Sequence, residues 1–198
     1  MTSVPSAAPA LPDHLVVADR AAWRAWLDAN EDGSDGGFVL LAKKGTVSPT
    51  SLSYAEALEE ALCSGWIDGQ RKGADDTTFL QRFTPRRPRS LWSSRNLGLV
   101  AELIEQSRMR LRGYAEIEKA KADGRWERAY AGQASVMVPE DLAAALERMP
   151  RAAEAFAALT GSERYAVLHT VITARNPATR ANRVARQVEI LQGAAAVE

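Results

Sequence analysis

Apolar residues follow two periods along this chain. Up to about residue 85 they occur both as helical stripes and as short alternating runs, and beyond about residue 113 only the helical spacing remains. Residues 15–17 read as a short extended piece. Asp19 stands where an N-cap is needed, ahead of a helix whose apolar face is Ala22, Trp23, Trp26 and Leu27. The GSDGG cluster at 33–37 breaks the chain, and FVLLA at 38–42, apolar and bounded by turn residues, predicts a buried strand that delivers Lys43 and Lys44 at its end. Ser53 and Glu56 form a capping box for a helix striped by Tyr54, Leu58, Ala61 and Leu62, which Gly65 stops. The runs 66–72 and 78–84, with turn residues between them, predict an antiparallel hairpin. In its second strand Phe79, Gln81 and Phe83 share one face, and Leu80, Arg82 and Thr84 share the other.

Pro85 and Pro88 end that strand, the chain turns through Arg86, Arg87 and Arg89, and a helix with Leu97, Val100, Ala101 and Ile104 on its apolar side follows. Tyr114, Ile117 and Lys121 then line a short helix stopped by Gly124, and Trp126 and Tyr130 open a linker that ends at Pro139. Three- and four-residue spacings mark four more helices: Leu142, Ala145, Leu146 and Met149; Ala152, Ala155, Phe156 and Leu159; Tyr165, Leu168 and Ile172; and Ala181, Val184, Val188 and Leu191. The expected fold is α+β: a small antiparallel sheet with flanking helices over 13–112, then a C-terminal helical bundle over 113–198. Residues 1–12, MTSVPSAAPALP, read as a disordered tail, because they lack the basic start and continuous apolar run of a secretory leader.

Composition narrows the partners. The 25 basic and 25 acidic residues cancel, so no global field draws the protein to nucleic acid or to a membrane surface, and any charged partner has to be met by a local patch. No stretch approaches the roughly 20 apolar residues that cross a bilayer, so membrane insertion is not expected. The single cysteine, Cys63, excludes an internal disulfide and a cysteine metal cluster, and fits the reducing cytoplasm.

Candidate chemistry is densest between Cys63 and Asn96. Arg82, Arg86 and Arg87, with Lys72, could clamp a phosphate or carboxylate beside the helix start at Ser90, Ser93 and Asn96, where backbone N–H groups are free. The structural alternative has Arg82 pairing with Asp68 or Asp76 to fasten the hairpin. Trp66 and Trp92 stack on a ligand ring or under an arginine, or else they are core. Asp68 is either a general base or a turn residue. Cys63 falls at the helix end that does not activate a thiol, and His14 and His169 have no partner at ligand or dyad spacing. Nucleotide-binding and zinc motifs are absent, so no cofactor and no metal is expected. Arg175, Arg180, Arg183 and Arg186 could meet a phosphate backbone, but a solvated helix face is the usual fate of such charges.

Four segments carry a family resemblance: GWIDGQRKGADD at 65–76, RFTPRRPRSLWSSRN at 82–96, AKADGRW at 120–126 and ITARNPATRANRVARQVEILQG at 172–193. Together they resemble the YdeI/OmpD-associated, or bacteriocin-protection, family. That resemblance implies a role in resisting bacteriocins or cationic antimicrobial peptides and association with an outer-membrane porin. The missing leader argues against the porin partner. Phe79 stands where members of that family often carry tyrosine, so a phenolic hydroxyl there is not essential. The function expected is therefore a cytoplasmic stress or antimicrobial-resistance protein that binds an anionic small molecule or a protein partner. A second reading is a small cofactor-free enzyme on a phosphorylated or carboxylated metabolite, with Arg82 and Arg86 holding the anion and Asp68 moving a proton. A third is a nucleic-acid-binding accessory protein.

Overall fold

A computed structural model describes residues 13–194, and the tail expected over residues 1–12 lies outside them. The fold is α+β. Its elements are β1 (His14–Leu15), α1 (Arg20–Asn30), β2 (Gly37–Ala42), α2 (Tyr54–Cys63), β3 (Trp66–Gly73), β4 (Thr78–Pro85), α3 (Ser94–Glu105), α4 (Leu111–Ala122), α5 (Glu140–Glu147), α6 (Pro150–Ala158), α7 (Gly161–Ile172) and α8 (Pro177–Ala194). They form two compact units. The first ends at Ser90 and resumes over Gly98–Trp126, and the second comprises Leu91–Leu97 and Glu127–Glu198.

In the first unit the strands lie in the order β1-β2-β4-β3. The pairs β2–β4 and β3–β4 are antiparallel, as the turn chemistry predicts, but β1 runs parallel to β2, so the sheet is mixed rather than purely antiparallel. The reason is connectivity: α1 carries the chain back across the sheet between the two strands, and such a crossover returns a strand parallel. Alternation then sorts the two faces. Val39, Leu41, Phe79 and Phe83 meet Trp23, Leu27, Ala57, Ala61 and Trp66 in the main core, whereas Phe38, Leu40 and Leu80 form a small cluster on the opposite face with Ala74. Each such leucine or phenylalanine contributes about 1.5–3 kcal/mol when fully buried.

Local signals place the helices. The Asp19 carboxylate accepts from the Ala22 N–H at 2.9 Å, and Ser53 and Glu56 cap α2 reciprocally. Gly65 sits at φ +69°, the left-handed conformation that lets the chain leave α2 and enter β3 at once. Two helix faces differ from the predicted ones. On α3 the fully buried apolar residues are Val100 and Leu103 while Ile104 is exposed, and on α4 they are Gly113, Ile117 and Ala120 while Tyr114 is exposed. The expected boundary at 112 also falls inside α4, which packs against α2.

The second unit buries Leu142, Leu146, Ala152, Phe156, Leu168, Val171, Val184, Val188 and Leu191 between α5, α6, α7 and α8. Pro150 opens α6, where its missing N–H costs nothing, and Thr160 and Glu163 cap α7 reciprocally.

Candidate functional site

The arginines of the first unit fall into two groups. One group is paired. Glu60 on α2, its side chain 8 % exposed, takes Arg20 Nε at 2.8 Å and Arg108 Nη2 at 2.8 Å, with Arg24 at 3.7 Å and Arg110 at 3.5 Å. Arg20 and Arg108 reach on to Glu59 at 3.0 Å and 2.8 Å, and Arg24 to Asp28 at 2.6 Å. This network ties α1, α2 and the segment before α4 together and leaves little of its charge unneutralised.

The other group follows the hairpin and the turn after it. Arg71 lies over the Phe79 ring at 3.8 Å. Lys72 Nζ and Arg82 Cζ stand 4.9 Å and 6.0 Å from the centre of a single ring, Phe38, on the sheet face away from α1 and α2. All three side chains are exposed, as are those of Arg87 and Arg89. Among the described residues none of these five cations forms an ion pair. The pairing of Arg82 with Asp68 or Asp76 that the sequence allowed is not made. Asp68 Oδ2 instead accepts from the Tyr54 hydroxyl at 2.8 Å, and a β-bulge follows it, filled by Gln81, whose Nε2 donates to the Gly69 carbonyl at 2.8 Å.

The turn itself is rigidly held. Arg86 is only 7 % exposed, and its N–H donates to the Gly65 carbonyl at 3.1 Å, closing the end of the hairpin. The Arg87 N–H donates to Ser90 Oγ at 2.9 Å while the Ser90 N–H donates to the Arg87 carbonyl at 2.9 Å. Beneath them Arg125, 7 % exposed, donates from Nη1 to the Ser90 carbonyl at 2.8 Å and from Nε to Asp123 at 2.7 Å. Tyr54 and Glu60 escape a reading of spacing alone, because their partners are distant in sequence, and so does the contact from Arg125 to the Ser90 carbonyl. The only trace of Arg125 is its place in the AKADGRW segment.

The remaining candidates are placed differently from what an exposed anion site needs. Trp66 is fully buried in the main core, edge-on to Trp26, so it is not a surface platform. Trp92, 1 % exposed, Ser93 and Asn96 group with the second unit, where Ser93 Oγ caps α3 by accepting from the Asn96 N–H at 3.1 Å and Asn96 itself is buried. Burial, reinforced by Glu60, pushes the Cys63 thiol up to about 11, which makes it inert at neutral pH. Arg180 pairs with Asp141 at 2.6 Å and Arg183 donates to the Thr170 carbonyl at 2.7 Å, so both are internal to the helical unit and the four arginines of α8 and its approach do not make one stripe. Among the described residues no three His, Cys, Asp or Glu side chains converge as a metal-holding group, and no helix is long and apolar enough to cross a membrane.

Two families match consecutive parts of the chain. Residues 15–116, the mixed sheet with its helices, match a domain of unknown function, DUF8412. Residues 135–193, the helices α5 to α8, match the bacteriocin-protection, YdeI or OmpD-associated family. The chain thus belongs to the DUF8412 family, and its residues 135–193 are similar to the bacteriocin-protection, YdeI or OmpD-associated family. Of the segments that carry the resemblance, only 172–193 falls inside the latter match; the hairpin and the arginine turn fall inside the former. Neither the curated proteins nor the solved structures gave a match.

Proposed function

We propose that this protein acts in bacteriocin protection in the cytoplasm, and that it does so by binding an anionic ligand, or the acidic surface of a partner protein, at the hairpin and the arginine turn. The observation that carries the reading is the contrast within one unit. Arg20, Arg24, Arg108, Arg110, Arg112 and Arg125 all have carboxylate partners, whereas Arg71, Lys72, Arg82, Arg87 and Arg89 have none among the described residues. A chain able to pair so many arginines leaves these cations exposed on the hairpin and the turn after it, with Lys72 and Arg82 sharing one sheet face and Arg71 on the other, which suits carboxylate or phosphate recognition. The family name supplies the biological setting, and the buried, unreactive Cys63 is compatible with a reducing compartment.

The test is calorimetric titration with pyrophosphate and citrate, alongside the double variants Lys72→Ala/Arg82→Ala and Arg87→Ala/Arg89→Ala. A hydrogen bond to a charged group is worth about 1.5–3 kcal/mol, so each pair should weaken binding by at least about tenfold while the melting temperature holds, since exposed unpaired cations stabilise little. Cells carrying the weakened variants should lose bacteriocin tolerance in parallel. Binding that survives both double variants, or tolerance that survives the loss of binding, removes this reading.

A further inference from the structure

β3 is the outermost strand of the sheet, and among the described residues no strand pairs along its other side. Hydrogen-bond alternation decides which of its backbone groups face that open edge. The Lys43 N–H donates to the Thr77 carbonyl at 2.8 Å, which extends the β2–β4 ladder by one pair. Bonded pairs recur at every second residue of an antiparallel ladder, so Phe79, Gln81 and Phe83 bond β2, and the even-numbered positions of β4 bond β3. The bond from the Arg86 N–H to the Gly65 carbonyl at 3.1 Å continues that second set. Lys72 is therefore bonded to its opposite residue Leu80. Arg71 and Gly73, opposite Gln81 and Phe79, turn their N–H and C=O groups outward.

Nothing in the chain crowds this stretch. Residues 69–73 are all exposed, and none of them is acidic. Gly73 has no internal need to be glycine: its φ is not in the left-handed region and a Cβ there would meet nothing within 4 Å. A glycine in a strand also marks a place where a second backbone can come close. The side chains divide between the two faces. Arg71 folds over Phe79 at 3.8 Å on the α1–α2 face, and Lys72 lies with Arg82 beside Phe38 on the opposite one. Cations along an edge keep two copies of a strand apart, because like charges would meet. The same charges attract an acidic strand.

We propose that β3 receives an extended segment of a partner protein as an added strand, and that this segment carries two consecutive acidic residues where it passes Arg71 and Lys72. The inference names the partner of the cation surface and rests on that reading. The segment's backbone bonds the outward groups of Arg71 and Gly73. Its alternating side chains send one carboxylate to each face of the sheet, toward Arg71 on one and toward Lys72 and Arg82 on the other. A free phosphate or carboxylate can meet the side chains but has no strand to offer.

The probe is the end-blocked peptide Val-Thr-Glu-Glu-Thr-Val, which reads nearly alike in either strand direction. Two relatives separate the contributions: one with both glutamate nitrogens methylated, which keeps the charge and blocks the ladder, and one with Gln-Gln in place of Glu-Glu, which does the reverse. Amide hydrogen exchange of the full chain, followed by NMR, reads the edge directly. Saturating peptide should slow exchange at Arg71 and Gly73 at least about tenfold, while pyrophosphate should leave both amides unprotected. Each relative should bind at least about tenfold more weakly than the parent peptide. Gly73→Pro removes one outward N–H and no charge, at a position where an edge strand tolerates proline, and its melt reports folding. It should lose the peptide and keep pyrophosphate. Unprotected Arg71 and Gly73 amides under saturating peptide, equal binding of either relative, or peptide binding retained in a folded Gly73→Pro each overturns the strand docking. Where pyrophosphate still binds in those cases the anion surface stands, and where neither probe binds both readings fall.

Discussion

Glu60 shows how much of this protein's stability rests on a single charge. Its carboxylate is nearly out of solvent and is met by guanidinium groups from Arg20, Arg24, Arg108 and Arg110, so its removal leaves several partly buried cations facing one another. Breaking a buried ion pair by deleting one partner costs about 3–5 kcal/mol, whereas a half-exposed pair is worth about 1 kcal/mol or less. Glu60→Ala is therefore expected to lower unfolding free energy in urea by about 3–5 kcal/mol, and Glu59→Ala, at 27 % side-chain exposure, by about 1 kcal/mol. Equal effects would mean that the network is too wet for burial to matter. Such residues are invisible to a sequence reading, because Glu60 lies 40 positions from Arg20 and 48 from Arg108, and its helical spacing marks it only as one polar residue among others. The same holds for Tyr54, which spacing assigns to the apolar stripe of α2 and whose hydroxyl occupies Asp68.

Elements were far more legible than their contacts. Caps, turns and strand alternation act between residues within four positions of one another, which is why Asp19, the Ser53–Glu56 box, Gly65 and both faces of β4 stand where the chain's local chemistry puts them. The faces of α3 and α4 depend instead on what packs beside them, and there the predicted stripes are rotated by about one residue. Gly113 marks that neighbour: a Cβ would come 2.3 Å from the Cys63 carbonyl oxygen and 2.6 Å from Met109 Cε. In a free helix Gly→Ala gains roughly 0.5–1 kcal/mol, but forcing atoms into a packed contact costs about 1–3 kcal/mol, so Gly113→Ala should destabilise despite the better helix former. A thermal melt decides the sign. On α7, His169 meets Tyr130 edge-on at 4.8 Å and Tyr165 at a tilt at 5.6 Å, and burial, then Arg183, hold its pKa below the ordinary 6.5. The unfolded chain then takes up the proton first, so the stabilisation is complete above about pH 6.5 and is lost as pH falls through the folded-state value. The wild type should lose melting temperature between pH 7.5 and 5 faster than His169→Gln; parallel slopes would show that other groups govern the acid limb.

At the scale of the molecule, the boundary suggested by composition and the boundary set by packing do not coincide. The sequence suggests a boundary at residue 112 and the first family match ends at 116, yet the first unit continues to Trp126. A change in periodicity reports where the sheet stops, not where burial stops. Past residue 116 the chain still adds Ile117 at 2 % exposure, Ala120 at 0 %, and Arg125, which holds the Ser90 carbonyl from below. Losing a buried isoleucine alone costs about 2–5 kcal/mol, so a fragment ending at residue 116 should be less stable in urea than one ending at 126 by at least that much. The two fragments also separate the anion surface into its parts. Lys72 and Arg82 are carried by the hairpin and survive in both, while the turn bearing Arg87 and Arg89 loses its support when Arg125 is removed. Where the shorter fragment still folds, pyrophosphate should bind it more weakly than it binds the longer one, with the remaining affinity abolished by Lys72→Ala/Arg82→Ala. Equal affinity in the two would show that the turn contributes nothing and that the hairpin cations act alone.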